Sequence, residues 1–172
     1  LKHTEDGWFY NSHLKTKERK KDDLVFRNAW LWQPKEKLTV NLKAEYGKFE
    51  ATGRAFTVSA FPEYLPSYQI VKAADPEFEA KFGLTKSTGS QYFMGLENTN
   101  NETFLLNLTL DLDFELGTLT SLTAYTAYDF DENADVDYLP IDFIHIFADQ
   151  EHEQFSQEVR FTSHNSEKFN YI

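Results

Sequence analysis

The stretch LNLTLDLDFELGTLTSLTAYTAYDF, Leu106 to Phe130, decides the fold. Successive side chains of a strand point to opposite faces. Leu106, Leu108, Leu110, Leu112 and Phe114 therefore share one face, and Asn107, Thr109, Asp111, Asp113 and Glu115 share the other. Three carboxylates side by side would repel one another and be desolvated in a dry core, so that second face must be wet. Gly117 supplies a tight turn, and Thr118 to Phe130 returns as a second strand. On it, Leu122, Ala124, Thr126, Tyr128 and Phe130 lie on one side and Ser121, Thr123, Tyr125 and Asp129 on the other. The two strands are antiparallel neighbours in a hairpin.

The same alternation recurs on either side. In LTVNLKAEY, Leu38, Val40, Leu42, Ala44 and Tyr46 oppose Thr39, Asn41, Lys43 and Glu45 without exception. LVFRNAWLW, Leu24 to Trp32, reads as a strand by its β-branched and aromatic content, and QPKEK, with Pro34, reads as the short turn that joins it to Leu38. In FSQEVRFTS, Phe155, Gln157, Val159 and Phe161 face one way while Ser156, Glu158, Arg160 and Thr162 face the other. The fold class is all-β and antiparallel.

Between the tight hairpins run long segments. Glu50 to Asn100 holds Pro62, Pro66 and Pro76, several glycines and the aromatics Phe61, Tyr64, Tyr68, Tyr92 and Phe93. It is too long for a casual loop in a compact domain. A short helix is expected at Ala74 to Phe82, with Asp75 as N-cap and Pro76 at the first helical position. A second long connection, Asp131 to Glu151, starts acidic and turns apolar at IDFIHIF. Short turns alternating with long loops is the pattern of an outer-membrane barrel.

Composition limits function. Aromatics make up 16% of the 172 residues, yet the net charge is −11 and the mean hydropathy −0.57. A chain this rich in aromatics is not expected to be disordered, and with a pI near 4.8 no nucleic-acid partner is expected. The basic run KTKERKKDD, Lys15 to Asp23, reads as a solvated loop or as a contact for phosphate groups or a partner. With no cysteine there is no disulfide, thiolate metal site or thiol nucleophile. No apolar run approaches the roughly 20 residues of a membrane helix. No Ser/His/Asp set, phosphate loop or nucleotide fingerprint occurs, so the chain is not expected to be an enzyme or to carry a cofactor.

Three blocks resemble the β-barrel of TonB-dependent outer-membrane receptors. They are DGWFYN (Asp6 to Asn11) leading to RNAWLWQPKEKLTVNLKAEY (Arg27 to Tyr46), LGTLTSLTAYTAYDFD (Leu116 to Asp131), and EQFSQEVRFTS (Glu153 to Ser163). The last is the most specific. The resemblance implies that residues 1–172 are a partial barrel domain of about six transmembrane strands, where plugged transporters have about 22. The plug domain and the remaining strands would then lie outside this chain. It further implies a place in the bacterial outer membrane, contact with lipid and with the protein's own plug, and coupling to the TonB complex through the missing N-terminal part. The cargo would be a small nutrient, for example an iron-siderophore complex.

On that resemblance Phe155, Val159 and Phe161 face lipid, while Glu158 and Arg160 face the lumen and form a network with the plug. Asp111, Asp113 and Glu115 join that network near the short turn, or bind a cation. Phe61, Tyr64, Tyr68, Tyr92, Phe93 and His145 are candidate ligand contacts in the loops, by stacking or by metal ligation. Packing within the loop explains the aromatics equally, and His145, like His152, fits an ordinary loop position. Asp129, Asp131, Asn133, Asp135 and Asp137 stand at every second position, as oxygen ligands for Ca²⁺ or as the solvated rim of a strand; the glycine of an EF-hand loop is absent. The alternative function is a soluble or secreted all-β carbohydrate-binding module. That module would bury its apolar faces in a sheet-on-sheet core, where a barrel exposes them.

Overall fold

A computed structural model describes residues 1–11, 15–54, 56, 61–76, 85–86, 97–139, 141 and 143–164. Among these, nine strands and one helix follow in the order β1 (Lys2–Glu5), β2 (Phe9–Asn11), β3 (Thr16–Glu18), β4 (Lys20–Lys35), β5 (Leu38–Thr52), α1 (Pro66–Ala74), β6 (Thr85–Lys86), β7 (Asn98–Asp113), β8 (Gly117–Asp135) and β9 (His145–Ser163). The main sheet has the order β1-β4-β5-β7-β8-β9 and is open, with β1 and β9 at its ends; a small sheet has the order β3-β2-β6. The fold is thus mostly antiparallel β, with one parallel pair, β2 with β6. No helix among the described residues is long and apolar enough to cross a membrane.

The chain divides into two compact units. Unit 2 comprises residues 25–47, 102–129 and 151–172. Its registers are fixed by a few bonds. Thr118 and Thr120 hydroxyls donate to Asp113 and Asp111 at 2.6 Å each, pairing β7 with β8. The Asp113 amide donates to the Lys37 carbonyl at 2.9 Å, placing the two short turns side by side. Thr123 donates to Gln157 at 2.6 Å, and the His164 amide to the Leu116 carbonyl at 3.0 Å, pairing β8 with β9. Gly117, at the head of β8, has no room for a Cβ, because Thr162 of β9 passes directly over it.

Strand alternation then sorts the faces. One carries Leu38 to Tyr46 (even positions) of β5, Phe104 to Leu112 (even positions) of β7, Ser121, Thr123 and Tyr125 of β8, and Phe155, Gln157, Val159 and Phe161 of β9. The Phe104 and Tyr125 rings meet at 6.3 Å on it, as do the Tyr46 hydroxyl and Glu102 at 3.2 Å. The other face carries Lys43, Glu45, Asp111, Asp113, Glu158 and Arg160. The second strand of the hairpin therefore places its hydroxyl side, not its Leu122 side, beside the leucines of β7.

Unit 1 comprises residues 1–24, 48–101 and 130–150. All the buried apolar residues described, Ala51, Val71, Ala134 and Leu139, belong to it. Val71 of α1 packs on Leu139, with Phe61, Tyr68 and Ile141 half-buried around them. The helix starts where Pro66 has a fixed φ and no amide to leave unsatisfied, and Lys72 in its last turn complements the helix dipole. It lies one helix upstream of the expected one. Ala74 ends it, and Asp75, expected as an N-cap, is its C-cap, donating its amide to the Val71 carbonyl at 2.9 Å. Residues 77–82 of the expected helix lie outside the described residues.

Candidate functional site

The polar face of unit 2 is built from β4, β5, β7, β8 and β9. Arg27 Nε donates to Glu45 Oε2 at 2.6 Å, and Gln33 Nε2 to the Thr39 hydroxyl at 3.4 Å, so neighbouring strands satisfy each other. Asp111 and Asp113 take hydroxyl hydrogen bonds from β8, while Glu115 is exposed in the turn. Glu158 and Arg160, on one side of β9, approach to 3.7 Å and are both solvent-exposed. The structure thus puts these lumen candidates on one face, though as strand-by-strand pairs and not as a single cluster. A hollow of about 290 Å³ on the same face is lined by Arg27, Lys43, Glu45, Leu105 and Asn107.

The leucine face has its own features. Gln157 accepts from Thr123 and donates to the Ser121 hydroxyl at 2.9 Å, so the three polar groups amid Leu106 to Leu112, Phe155 and Val159 satisfy one another. Along the same strands, Tyr46, Glu102, Phe104, Asp129, Glu151 and Glu153 line a hollow of about 620 Å³. Carboxylates over aromatic walls suit a cation and repel an anion.

The acidic stretch is strung out along the end of β8 and the loop that follows it. Asp131 accepts from Asn98 and Asn100 at 3.4 and 3.1 Å, and Asn133 meets His145 Nε2. Asp135 is completely buried: its Oδ1 accepts from the Asp137 and Tyr138 amides at 3.0 and 3.2 Å, and its own amide donates to buried Glu97 at 3.1 Å. Its Oδ2 has no hydrogen-bond partner among the described residues. Burial, then the charge of Asp137, pushes its pKa up to about 7. Asp137 closes the following loop, accepting from the amides of Leu139, Phe143 and Ile144 at 2.9, 2.9 and 2.7 Å. Asp129, Asp131, Asn133, Asp135 and Asp137 therefore do not converge, and no group of three metal-ligating side chains occurs among the described residues.

Of the loop aromatics, Phe61 and Tyr68 meet edge to face at 5.8 Å and pack on the Val71 cluster, while Tyr64 is 85% exposed. Tyr92 and Phe93 lie outside the described residues. His145 also stacks on Phe147 at 4.7 Å.

Sequence reading missed two constellations. Asn11 and Glu18, both buried, hydrogen bond at 2.5 Å, with Gly7 and Gly53 pressed against Glu18. The second is Glu97 beneath Asp135. Neither left a signal: Asn11 and Glu18 meet across the short β2–β3 ladder, which has no hydrophobic period, and Glu97 and Asp135 lie 38 residues apart. The chain matches no protein-family model, no curated protein and no solved structure.

Proposed function

We propose that this chain is part of the wall of a plugged outer-membrane barrel of the TonB-dependent receptor type, which binds a scarce nutrient in its long loops and imports it with TonB-supplied energy. The observation that carries this reading is the leucine face of unit 2, on which the described residues build no buried apolar core. On β5 and β7 the apolar positions run in register for nine residues each, Leu38–Tyr46 and Phe104–Leu112, and no buried apolar residue is described in that unit. Nine residues reach the lower end of the roughly 9–11 of a membrane strand: at ~3.3 Å each they extend about 26 Å along the strand and, at a tilt of about 40°, span about 20 Å of a ~25 Å apolar band. Such a face would draw water-soluble chains together, whereas lipid covers it at no cost. The opposite face, with its paired Arg27–Glu45 and hydroxyl-bonded aspartates, suits a polar lumen.

The test is fractionation of cells that make the native polypeptide, read by mass spectrometry of peptides spanning Phe155 to Ser163. Recovery in the outer membrane supports the reading, and recovery in a soluble fraction overturns it. The second reading, a soluble all-β module that binds carbohydrate, draws on the Ser121, Thr123 and Gln157 trio, whose hydroxyls and amide face the side that lipid would cover. It predicts soluble recovery and retention on immobilised polysaccharide.

A further inference from the structure

The basic run Lys15 to Lys21 is not a loop. β3 pairs antiparallel with β2 (Phe9 with Glu18, Tyr10 with Lys17, Asn11 with Thr16), and the run then enters β4, where Lys21 pairs with Glu5 across the ladder to β1. The segment is pinned from within. Glu18, the sole carboxylate among the seven residues from Lys15 to Lys21, is turned inward, buried, and hydrogen-bonded by Asn11 at 2.5 Å. A Cβ on Gly7 would strike the Glu18 backbone, and one on Gly53 would lie 2.8 Å from its Cβ and Oε2. The Arg19 amide donates to the Thr52 carbonyl at 2.7 Å.

Lys15 and Arg19, on either side of β3, hold left-handed backbones, with φ of 56° and 67°. Neither is glycine, and a side chain in this region is strained unless its surroundings hold it there. The consequence is a sorting of charge. With Glu18 inward, alternation turns Lys17 outward beside Tyr10. Lys21 is neutralised by Glu5 at 3.5 Å. Lys17, Arg19 and Lys20 have no carboxylate partner among the described residues, on a chain whose net charge is −11.

We infer that Tyr10 and Lys17, on the outward side of the β2–β3 hairpin, together with Arg19 just past β3 and Lys20 at the head of β4, form a binding site for phosphate groups of an anionic ligand. The guanidinium offers two parallel donors to one phosphate, and the ammonium groups add point charge that takes up a second. This goes beyond the barrel reading and does not depend on it, since every residue invoked belongs to unit 1. Phosphate of this kind comes from a soluble polyphosphate or from a lipid headgroup.

The test uses the full chain, folded in zwitterionic detergent and titrated with tripolyphosphate and, separately, with short-chain phosphatidic acid. Backbone amide shifts of Lys17, Arg19 and Lys20 give the affinity. Both probes should bind at this site; K17Q/K20Q should weaken them about tenfold or more and flatten the salt dependence, because two of the charges that meet phosphate are gone. K35Q/K37Q removes the same charge from the exposed β4–β5 turn and should bind as the parent does. Binding of tripolyphosphate alone assigns a soluble ligand, and of phosphatidic acid alone a lipid. Equal weakening by both double variants, or none by K17Q/K20Q with its spectrum otherwise unchanged, overturns the inference.

Discussion

Asp135→Asn should make the protein more stable at alkaline pH and flatten its pH dependence. Asp135 is wholly buried, and its folded pKa of about 7 compares with 3.8 for a free aspartate. The folded state therefore holds this proton more tightly than the unfolded state does. Below about pH 4 both states are protonated and there is no penalty. As pH rises from about 4 to 7 the unfolded chain ionises first, and stability falls until both states are ionised. A separation of about 3 pH units at ~1.4 kcal/mol each makes the full penalty about 4 kcal/mol, reached above pH 7. Asparagine keeps an oxygen for the Asp137 and Tyr138 amides and cannot ionise. Its NH₂ replaces the unpartnered Oδ2 and costs about 1 kcal/mol. The net gain at pH 8 is about 2–3 kcal/mol, turning into a small loss at pH 4. Denaturant unfolding between pH 4 and 8, with hydrogen-exchange protection of Tyr138 and Leu139 as the local readout, measures it. The reasoning is refuted if parent and variant show parallel stability curves, for then Asp135 contributes nothing to the slope.

Two further substitutions, each with a control, probe the packing of unit 1. Gly53→Ala puts a Cβ on a residue with φ of 69° and 2.8 Å from Glu18, and should cost about 1–3 kcal/mol. Gly47→Ala, with nothing within 4 Å, should stay within about 0.5 kcal/mol by the same unfolding assay. Leu139→Ala opens the cluster on Val71 and should cost about 2–5 kcal/mol, whereas Ile70→Ala, on the exposed side of the same helix, should cost less than about 1 kcal/mol.

What could be read in the sequence was whatever repeats with period two. Leu38 to Tyr46, Thr118 to Phe130 and Phe155 to Ser163 are all strands, as is the expected Leu106 to Glu115 as far as Asp113, and the short turns at Glu36–Lys37 and before Gly117 join hairpins. Each strand except the Lys20–Lys35 one is extended chiefly at the end away from its short turn: into Asn98–Asn101 and Asp131–Asp135, where polar residues on both faces erase the alternation, and into His145–Asp149, where Ile146, Phe147 and Ala148 put apolar side chains on both faces. The basic run looked solvated for the same reason: β3 is held by ladder bonds and a buried Glu18–Asn11 contact, which leave no hydrophobic period. The helix at Pro66–Ala74 was not read because Pro66, its start signal, follows Leu65, whose side chain cannot cap. The polar candidates on β7 and β9 could be placed on a face by alternation alone, but the partners of Asp113 and Asp111, Thr118 and Thr120, depend on a register that only pairing sets.

Cysteine scanning of β7 in intact outer membranes tests the membrane account most directly, and the absence of native cysteine makes every introduced thiol unique. Cysteines replacing Leu106, Leu108 and Leu110 should react with a lipid-soluble maleimide and resist a water-soluble one, while those replacing Asn107, Thr109 and Asp111 should resist the lipid-soluble reagent. That alternation, changing at every residue, would place the leucine face against lipid. Leucine-face cysteines that react freely with the water-soluble reagent, or that resist the lipid-soluble one, would contradict it.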